Sequence, residues 1–129
     1  MGWGTAVLTT QFLKNKIMTT IPETRHLTCP ICSQLRDKEY AIEHVHASEE
    51  DNELPEAASQ LKIAREFRSS LRLLQCPECQ TYYLYRSIYE FLVGFGGSYD
   101  EYYLWRLTDK VGAEYHAGRR SQPLQGMGY

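Results

Sequence analysis

The sequence has no long apolar run and no strong excess of charge of either sign, and both absences narrow its class. No stretch approaches the roughly 20 apolar residues that a membrane-spanning helix requires, so we predict no membrane segment. Fourteen Lys and Arg against sixteen Asp and Glu give a net charge of −2. This balance argues against a protein whose main task is to cover a phosphate backbone. The 129 residues suit one domain with a modest core.

Familiar catalytic motifs are missing as well. The chain contains no glycine-rich phosphate loop, no Gly-x-Ser-x-Gly elbow and no His-Glu-x-x-His helix, and we predict that it is not an enzyme. The first eighteen residues have no basic segment ahead of their apolar residues, which is unlike a secretory signal, so we expect a cytoplasmic protein. Met18 is an alternative start. We expect an N-terminal arm over 1–25, a single domain over 26–117 and a flexible tail over 118–129.

Cysteine is scarce, and its four copies form two Cys-Pro-x-Cys segments, which we call knuckle 1 (29–32) and knuckle 2 (76–79). Two residues between the thiols allow one tight turn to direct both sulfurs at the same ion, and the proline restricts φ in that turn. Four thiolates are the usual ligands of a closed tetrahedral zinc site. Without a secretory signal, a metal site is favoured over disulfides. We predict one structural Zn²⁺ bound by Cys29, Cys32, Cys76 and Cys79.

The two knuckles, with a predicted β-hairpin after the second, resemble those of the zinc ribbons and of the rubredoxins, which hold one iron. The resemblance covers 29–32 and 76–108, and the stretch from Leu74 to Thr108 is also similar to that of small stand-alone bacterial zinc-ribbon proteins with no assigned activity. It implies the fold and the metal but no role. Glycine usually follows the second cysteine of such a knuckle, whereas Ser33 and Gln80 stand there in this chain. The interval between the knuckles also exceeds the usual 15–20 or so residues.

Apolar periodicity predicts the remaining elements. Residues 37–46 are expected to form a strand. Residues 55–74 are expected to form an amphipathic helix, because apolar side chains recur there every three or four positions, at Leu61, Ala64, Phe67, Leu71 and Leu74. Residues 81–93 and 99–108 are rich in β-formers and flank a glycine-rich turn, so we expect a hairpin. The predicted class is α+β: a zinc-ribbon-like hairpin with two knuckles and an inserted helix.

Seven of the ten tyrosines lie in this hairpin. We predict that one side is lined by Leu84, Ile88 and Leu92, with Tyr102 and Leu104 as companions. The other side would then present a partner-binding surface formed by Tyr83, Tyr85, Tyr89, Tyr103 and Trp105. Tyrosine suits a half-hydrated interface, because its ring packs while its hydroxyl stays in water. The occupant is a protein partner or a second copy; cover by other segments of the same chain is an equal alternative.

A second candidate surface is basic. Arg65, Arg68 and Arg72 would align on the predicted helix and contact an anion or nucleic acid, or simply form a solvated flank. The segment 29–55 opposes a nucleic-acid role, because it carries seven acidic residues and two basic ones. His44 and His46 would alternate on a strand or bind a second metal, and His26 would lie at the surface or donate to a cysteine sulfur.

Three functions follow. The first is a non-enzymatic, zinc-stabilised protein-binding module that acts as a subunit, adaptor or neutralising partner through the tyrosine-rich hairpin. The alternative is a nucleic-acid-binding zinc ribbon that uses the arginine-bearing helix. The third is electron transfer through iron, as in rubredoxins, which the missing knuckle glycines disfavour because backbone N–H donors to sulfur tune such a site.

Overall fold

A computed structural model of the chain describes residues 21–44, 52–92 and 97–128. The predictions for the first twenty residues of the N-terminal arm, for Met18 as a start, for His46 and for the turn at 94–96 lie outside these ranges.

The described residues form a five-stranded antiparallel sheet with one α-helix, so the predicted α+β class is confirmed. The strands are β1 (Lys38–His44), β2 (Lys62–Arg68), β3 (Leu71–Gln75), β4 (Tyr82–Leu92) and β5 (Gly97–Arg106). Their spatial order is β1-β5-β4-β3-β2. The helix α1 spans Asp109–His116, and short 3-10 helices span Ile21–Leu27, Cys32–Gln34 and Glu56–Gln60.

Two sequence predictions about strands are confirmed. The predicted hairpin is the β4–β5 pair, whose register runs from Tyr83 opposite Arg106 to Leu92 opposite Gly97. The strand predicted over 37–46 is β1, which pairs with β5 as an edge strand. Both predictions depended on β-branched and aromatic residues in alternation, a pattern that a half-buried strand requires.

The predicted helix over 55–74 is wrong, because this segment forms a 3-10 turn followed by the β2–β3 hairpin. The pairing of β2 with β3 shifts by one residue at Ala64 and again at Phe67, as in β-bulges. A bulge inserts one extra residue into a strand and interrupts the alternation of its side chains. The two half-buried residues of β2, Ala64 and Phe67, therefore lie three apart, a spacing that is typical of a helix.

Each side of the sheet has its own core. On the knuckle face, both knuckles and the 3-10 helix Glu56–Gln60 cover the sheet, and the buried residues are Cys29, Ile31, Cys32, Leu35, Ala57, Leu61, Cys76, Tyr83 and Leu104. On the helix face, α1 and the segment after it cover the sheet, and the buried residues are Leu71, Leu73, Leu84, Leu107, Tyr115 and Met127. Because side chains alternate along a strand, β4 sends Tyr83 to the knuckle face and Leu84 to the helix face.

Helix α1 begins after Thr108, whose hydroxyl caps it by accepting a hydrogen bond from the backbone N–H of Val111. Residues 118–128, for which the sequence predicts a flexible tail, lie against the helix face. Met127 is fully buried there, and the Tyr115 hydroxyl donates to the carbonyl of Gln122 over 2.6 Å. Apolar burial at Met127 thus fixes a segment whose composition resembles a loose tail.

Candidate metal centre

The fold brings the two knuckles together, although they are far apart in the chain. Knuckle 1 connects the 3-10 helix Ile21–Leu27 to the short turn Cys32–Gln34, and knuckle 2 forms the connection between β3 and β4. The four sulfur atoms all lie within 4.8 Å of one another. The closest pairs join the two knuckles, with 3.6 Å between the sulfurs of Cys29 and Cys76 and 3.5 Å between those of Cys32 and Cys79.

These distances are those of a metal site and not of disulfides. A disulfide joins its sulfurs at about 2.05 Å, and all four cysteines are free thiols. A tetrahedron of thiolates about 2.3 Å from a central ion has edges of about 3.8 Å. Cys29, Cys32 and Cys76 are buried, and Cys79 is half-buried. The cluster can therefore hold one metal ion with little movement of the ligands.

Local backbone donors favour the thiolate form at knuckle 1. Burial alone would raise the pKa of Cys29, but hydrogen bonds from the backbone N–H groups of Cys32 and Ile31 lower that pKa to about 7. Burial raises the pKa of Cys32 and of Cys76. Before an ion binds, the first thiolate is thus expected at Cys29, and the positive ion would then favour ionisation of the other thiols.

Tyr83 and Arg106 support the cluster from the sheet. The Tyr83 hydroxyl accepts a hydrogen bond from Arg106 Nε over 3.2 Å. Burial and the neighbouring Cys32 raise the pKa of Tyr83, so its hydroxyl stays protonated beside knuckle 1. The same guanidinium also donates to the carbonyls of Cys32 and Leu35, over 3.2 and 2.7 Å, and pairs with Asp37. Arg106 thereby fixes the exit of knuckle 1 against β5.

Arg25 plays a similar positioning role at knuckle 2. Its Nε donates to the carbonyl of Cys79, and its two terminal nitrogens each donate to a carboxylate oxygen of Asp109 over 2.8 Å. The hydrogen bonding that Arg25 donates to Asp109 is the main reason that the pKa of Arg25 is raised. One side chain therefore connects knuckle 2 to the first residue of α1.

The two knuckles differ in backbone conformation at the position where zinc ribbons and rubredoxins usually carry glycine. Gln80 has φ of +67°, in the left-handed region that glycine adopts most easily. It is the only residue other than glycine with positive φ in the described ranges. Ser33 has no such conformation and belongs to a 3-10 turn. The absence of glycine therefore has a structural cost only at knuckle 2, where Gln80 adopts the left-handed conformation.

The five residues of the predicted partner surface do not share a face, so the predicted alignment of the two strands is wrong. Directly paired residues point to the same side of a sheet, and Leu84, not Tyr83, stands opposite Trp105. Tyr83 and Tyr85 pack on the knuckle face, where Tyr83 is fully buried. Tyr103 and Trp105 pack on the helix face. Tyr89 is 62% exposed.

The three predicted anion-binding arginines do not form a stripe, because the helix that would align them does not exist. Arg65 and Arg68 lie on β2, and Arg72 lies on β3 opposite Glu66. Arg65 donates to the carbonyl of His116 over 3.0 Å, and Arg72 pairs with Glu66 over 3.2 Å. Two of the three guanidinium groups are thus engaged within the chain.

The three histidines of the described ranges, His26, His44 and His116, contribute no second cluster there. His44 packs against the ring of Tyr99, with 6.0 Å between the ring centroids. His26 lies half-buried before knuckle 1, where burial and the neighbouring Arg106 lower its pKa. Across residues 21–44, 52–92 and 97–128, the four cysteines are the one group of three or more metal-ligating side chains close enough to share an ion.

Sequence reasoning identified the four cysteines but missed Tyr83, Arg106 and Arg25 as their supports. Tyr83 was predicted to bind a partner, and only the register of β4 with β5 shows that it turns toward knuckle 1. Arginine near a cysteine cluster is too common in sequences to mark such a role.

Two further findings concern the chain as a whole. Among the described residues, no helix is long and apolar enough to cross a membrane. No family model, no curated protein and no solved structure matches the chain. The cysteine cluster alone therefore supports the resemblance to zinc ribbons.

Proposed function

We propose that the chain is a non-enzymatic protein-interaction module whose knuckle face is held together by one structural Zn²⁺ on Cys29, Cys32, Cys76 and Cys79. The observation that carries this proposal is the closed cluster of four thiols, three of them buried. Four protein ligands leave no position at a tetrahedral ion for water or substrate, which is the mark of a structural site. Zinc suits this role because it is redox-inert and accepts tetrahedral thiolate ligands.

The distribution of exposed groups supports binding through a face of the sheet and not through an edge. Asn52 covers β1, because its N–H donates to the Ile42 carbonyl over 3.0 Å and its side-chain oxygen accepts from the Ile42 N–H over 2.7 Å. The opposite edge strand, β2, is interrupted by two bulges and carries charged side chains. The contact of Asn52 with β1 and the bulges and charges of β2 both discourage strand-to-strand pairing between molecules.

Each face of the sheet offers one exposed tyrosine as a contact group. On the helix face, Tyr40 is 43% exposed and lies beside Tyr103 with 5.1 Å between ring centroids. On the knuckle face, Tyr89 is exposed near the far end of β4. Such rings supply large contact areas at hydrated protein interfaces. The nucleic-acid alternative has less support, because Arg65 and Arg72 are engaged within the chain.

The test combines metal analysis with affinity capture. We expect the purified chain to be colourless with one zinc per molecule, and the tagged chain to retain a stoichiometric protein from its native host after nuclease treatment. A red protein containing iron would replace the structural role with electron transfer. Recovery of nucleic acid, with every companion lost on nuclease treatment, would overturn protein binding.

A further inference from the structure

A groove of about 520 Å³ lies on the knuckle face, between the sheet and the segment that ends in the 3-10 helix Glu56–Gln60. Its floor and inner wall are apolar and its outer rim is acidic. Its volume falls within the range of about 300–1,000 Å³ that is typical of ligand sites. The lining residues on which the argument depends are Leu74, Tyr85 and Leu104 in the floor, Leu54 in the wall, and Glu53 and Glu56 at the rim.

The floor is a firm apolar base. Leu104 is 1% exposed and belongs to the same core as the cysteine cluster. The ring of Tyr85 stacks on that of Tyr102, with 6.4 Å between centroids and 22° between planes. The three floor residues come from three adjacent strands, so the sheet fixes their spacing. An apolar group placed here would gain burial without reorganising the sheet.

The rim supplies negative charge that the chain does not neutralise. Glu53 and Glu56 are exposed, and neither forms an ion pair with any residue in the described ranges. Two other acidic residues of this face are engaged, since Glu39 pairs with Arg36 and Glu66 pairs with Arg72. Two available carboxylates beside an apolar floor favour a ligand that is both apolar and cationic.

We infer that this groove binds an extended basic segment of a partner protein, with an apolar side chain on the floor and flanking Lys or Arg side chains against Glu53 and Glu56. This inference rests on the proposed function, whose partner class it specifies. Charge complementarity supports this occupant, because the floor selects an apolar anchor and the rim rejects acidic neighbours of that anchor.

The test uses the full, zinc-loaded chain and a fluorescein-labelled seven-residue peptide with a central leucine flanked by arginines. Fluorescence anisotropy at low salt measures its dissociation constant. We expect the double variant E53Q/E56Q to bind about tenfold more weakly, since two exposed ion pairs are lost. The matched control E23Q/E90Q removes the same charge at one exposed and one half-buried position outside the groove and away from both knuckles, and it should bind as the parent chain does. A peptide with glycine in place of leucine should lose most of its affinity.

A steric variant provides independent evidence. Ser59→Trp adds a ring at the exposed rim and should block the peptide without changing the zinc content or the thermal transition. The inference is overturned if E53Q/E56Q and Ser59→Trp bind as the parent does, if E23Q/E90Q weakens binding equally, or if the glycine peptide binds as well as the leucine peptide. If E53Q/E56Q and Ser59→Trp both still capture the nuclease-resistant host protein in full, the groove is rejected while the interaction module survives. If the parent chain captures no protein at all, the proposed function itself fails.

Discussion

The knuckle face and the helix face cover the same sheet by different means. Three of the nine buried residues in the knuckle-face core are cysteines, and the covering segments are short 3-10 turns. The helix-face core contains no cysteine; leucines, Tyr115 and Met127 fill it beneath a capped helix. We therefore expect the knuckle face to depend on a bound ion for its cohesion and the helix face to depend on ordinary apolar burial.

This difference teaches how a chain of modest length can stabilise two thin cores. Short 3-10 turns bury little apolar surface and satisfy few backbone groups, so they need an external constraint. A metal bound by residues distant in sequence provides that constraint, because the unfolded chain has no preformed site. Four predictions test whether only the knuckle face depends on the bound metal.

The largest effect should come from removing one ligand on the knuckle face. In Cys76→Ser, we expect loss of the bound metal and of the cooperative thermal transition. Structural zinc contributes about 10–16 kcal/mol in small zinc peptides, which matches or exceeds the 5–15 kcal/mol that stabilises a typical domain. Metal analysis and scanning calorimetry would measure both. Ser33→Ala, an exposed change beside Cys32, is the control and should preserve both properties. A Cys76→Ser chain that retained its metal and its transition would contradict the dependence on the ion.

The next effect lies on the helix face and should leave the metal in place. A Cβ atom added to Gly112 would lie 2.3–2.6 Å from three atoms of Tyr82, so Gly112→Ala must displace α1 from the sheet. Overpacking of this kind costs about 1–3 kcal/mol, although alanine is favoured over glycine in a helix by about 1 kcal/mol. We expect net destabilisation by urea unfolding with unchanged zinc content. Ala113→Gly, at the neighbouring exposed position, measures how much the helix propensity of alanine over glycine contributes to stability. A more stable Gly112→Ala chain would show that α1 does not dock closely.

Two buried tyrosines, one on each face, allow a matched comparison. Tyr83 contacts the Cys32 sulfur and Arg106, whereas Tyr115 donates to the Gln122 carbonyl. Tyr83→Phe should destabilise the chain by about 1–3 kcal/mol, because it leaves Nε of the largely buried Arg106 side chain without this acceptor. Tyr115→Phe should cost about 0.5–1.5 kcal/mol, because Gln122 is exposed and water can replace the lost donor. Only Tyr83→Phe should weaken metal affinity, by about tenfold, as residues that support metal ligands do. Competition with a chromophoric chelator measures it. Equal metal affinity in the two variants would remove Tyr83 from the support of the site.

The sequence alone was sufficient for features whose signal is local. The two knuckles need only the spacing within each pair and the total count of four thiols, and the β4–β5 hairpin needs only alternation around a glycine-rich turn. The α+β class is confirmed, but its helix is Asp109–His116 and not the predicted segment 55–74. The metal ligands could be predicted because a four-thiolate site uses every cysteine of the chain.

The remaining features depend on register and bulges, which periodicity does not encode. The bulges at Ala64 and Phe67 produced a spacing of three and hence the wrong helix. The assignment of Tyr83 and Trp105 to one surface failed because the turn length, not the strand pattern, determines which residues stand opposite. Arg106 supports knuckle 1 only because β5 returns beside β1.

The smallest effect is expected at the turn of knuckle 2, and its sign distinguishes the two knuckles. Gln80→Gly should stabilise the chain by about 0.5–1 kcal/mol. The left-handed conformation costs a residue with a side chain about 1–2 kcal/mol, and glycine avoids this cost. Part of the gain is offset because glycine has more conformational entropy to lose when the chain folds. The exposed hydrogen bond from Gln80 to the Pro77 carbonyl is lost and offsets little. Ser33→Gly is the matched control at knuckle 1 and should destabilise, since no left-handed conformation is relieved there. Thermal unfolding of the zinc-loaded chains measures both. If both variants shift the transition in the same direction, the backbone difference between the knuckles has no energetic consequence; opposite shifts would mean that the ion holds knuckle 2 in a turn its own sequence disfavours.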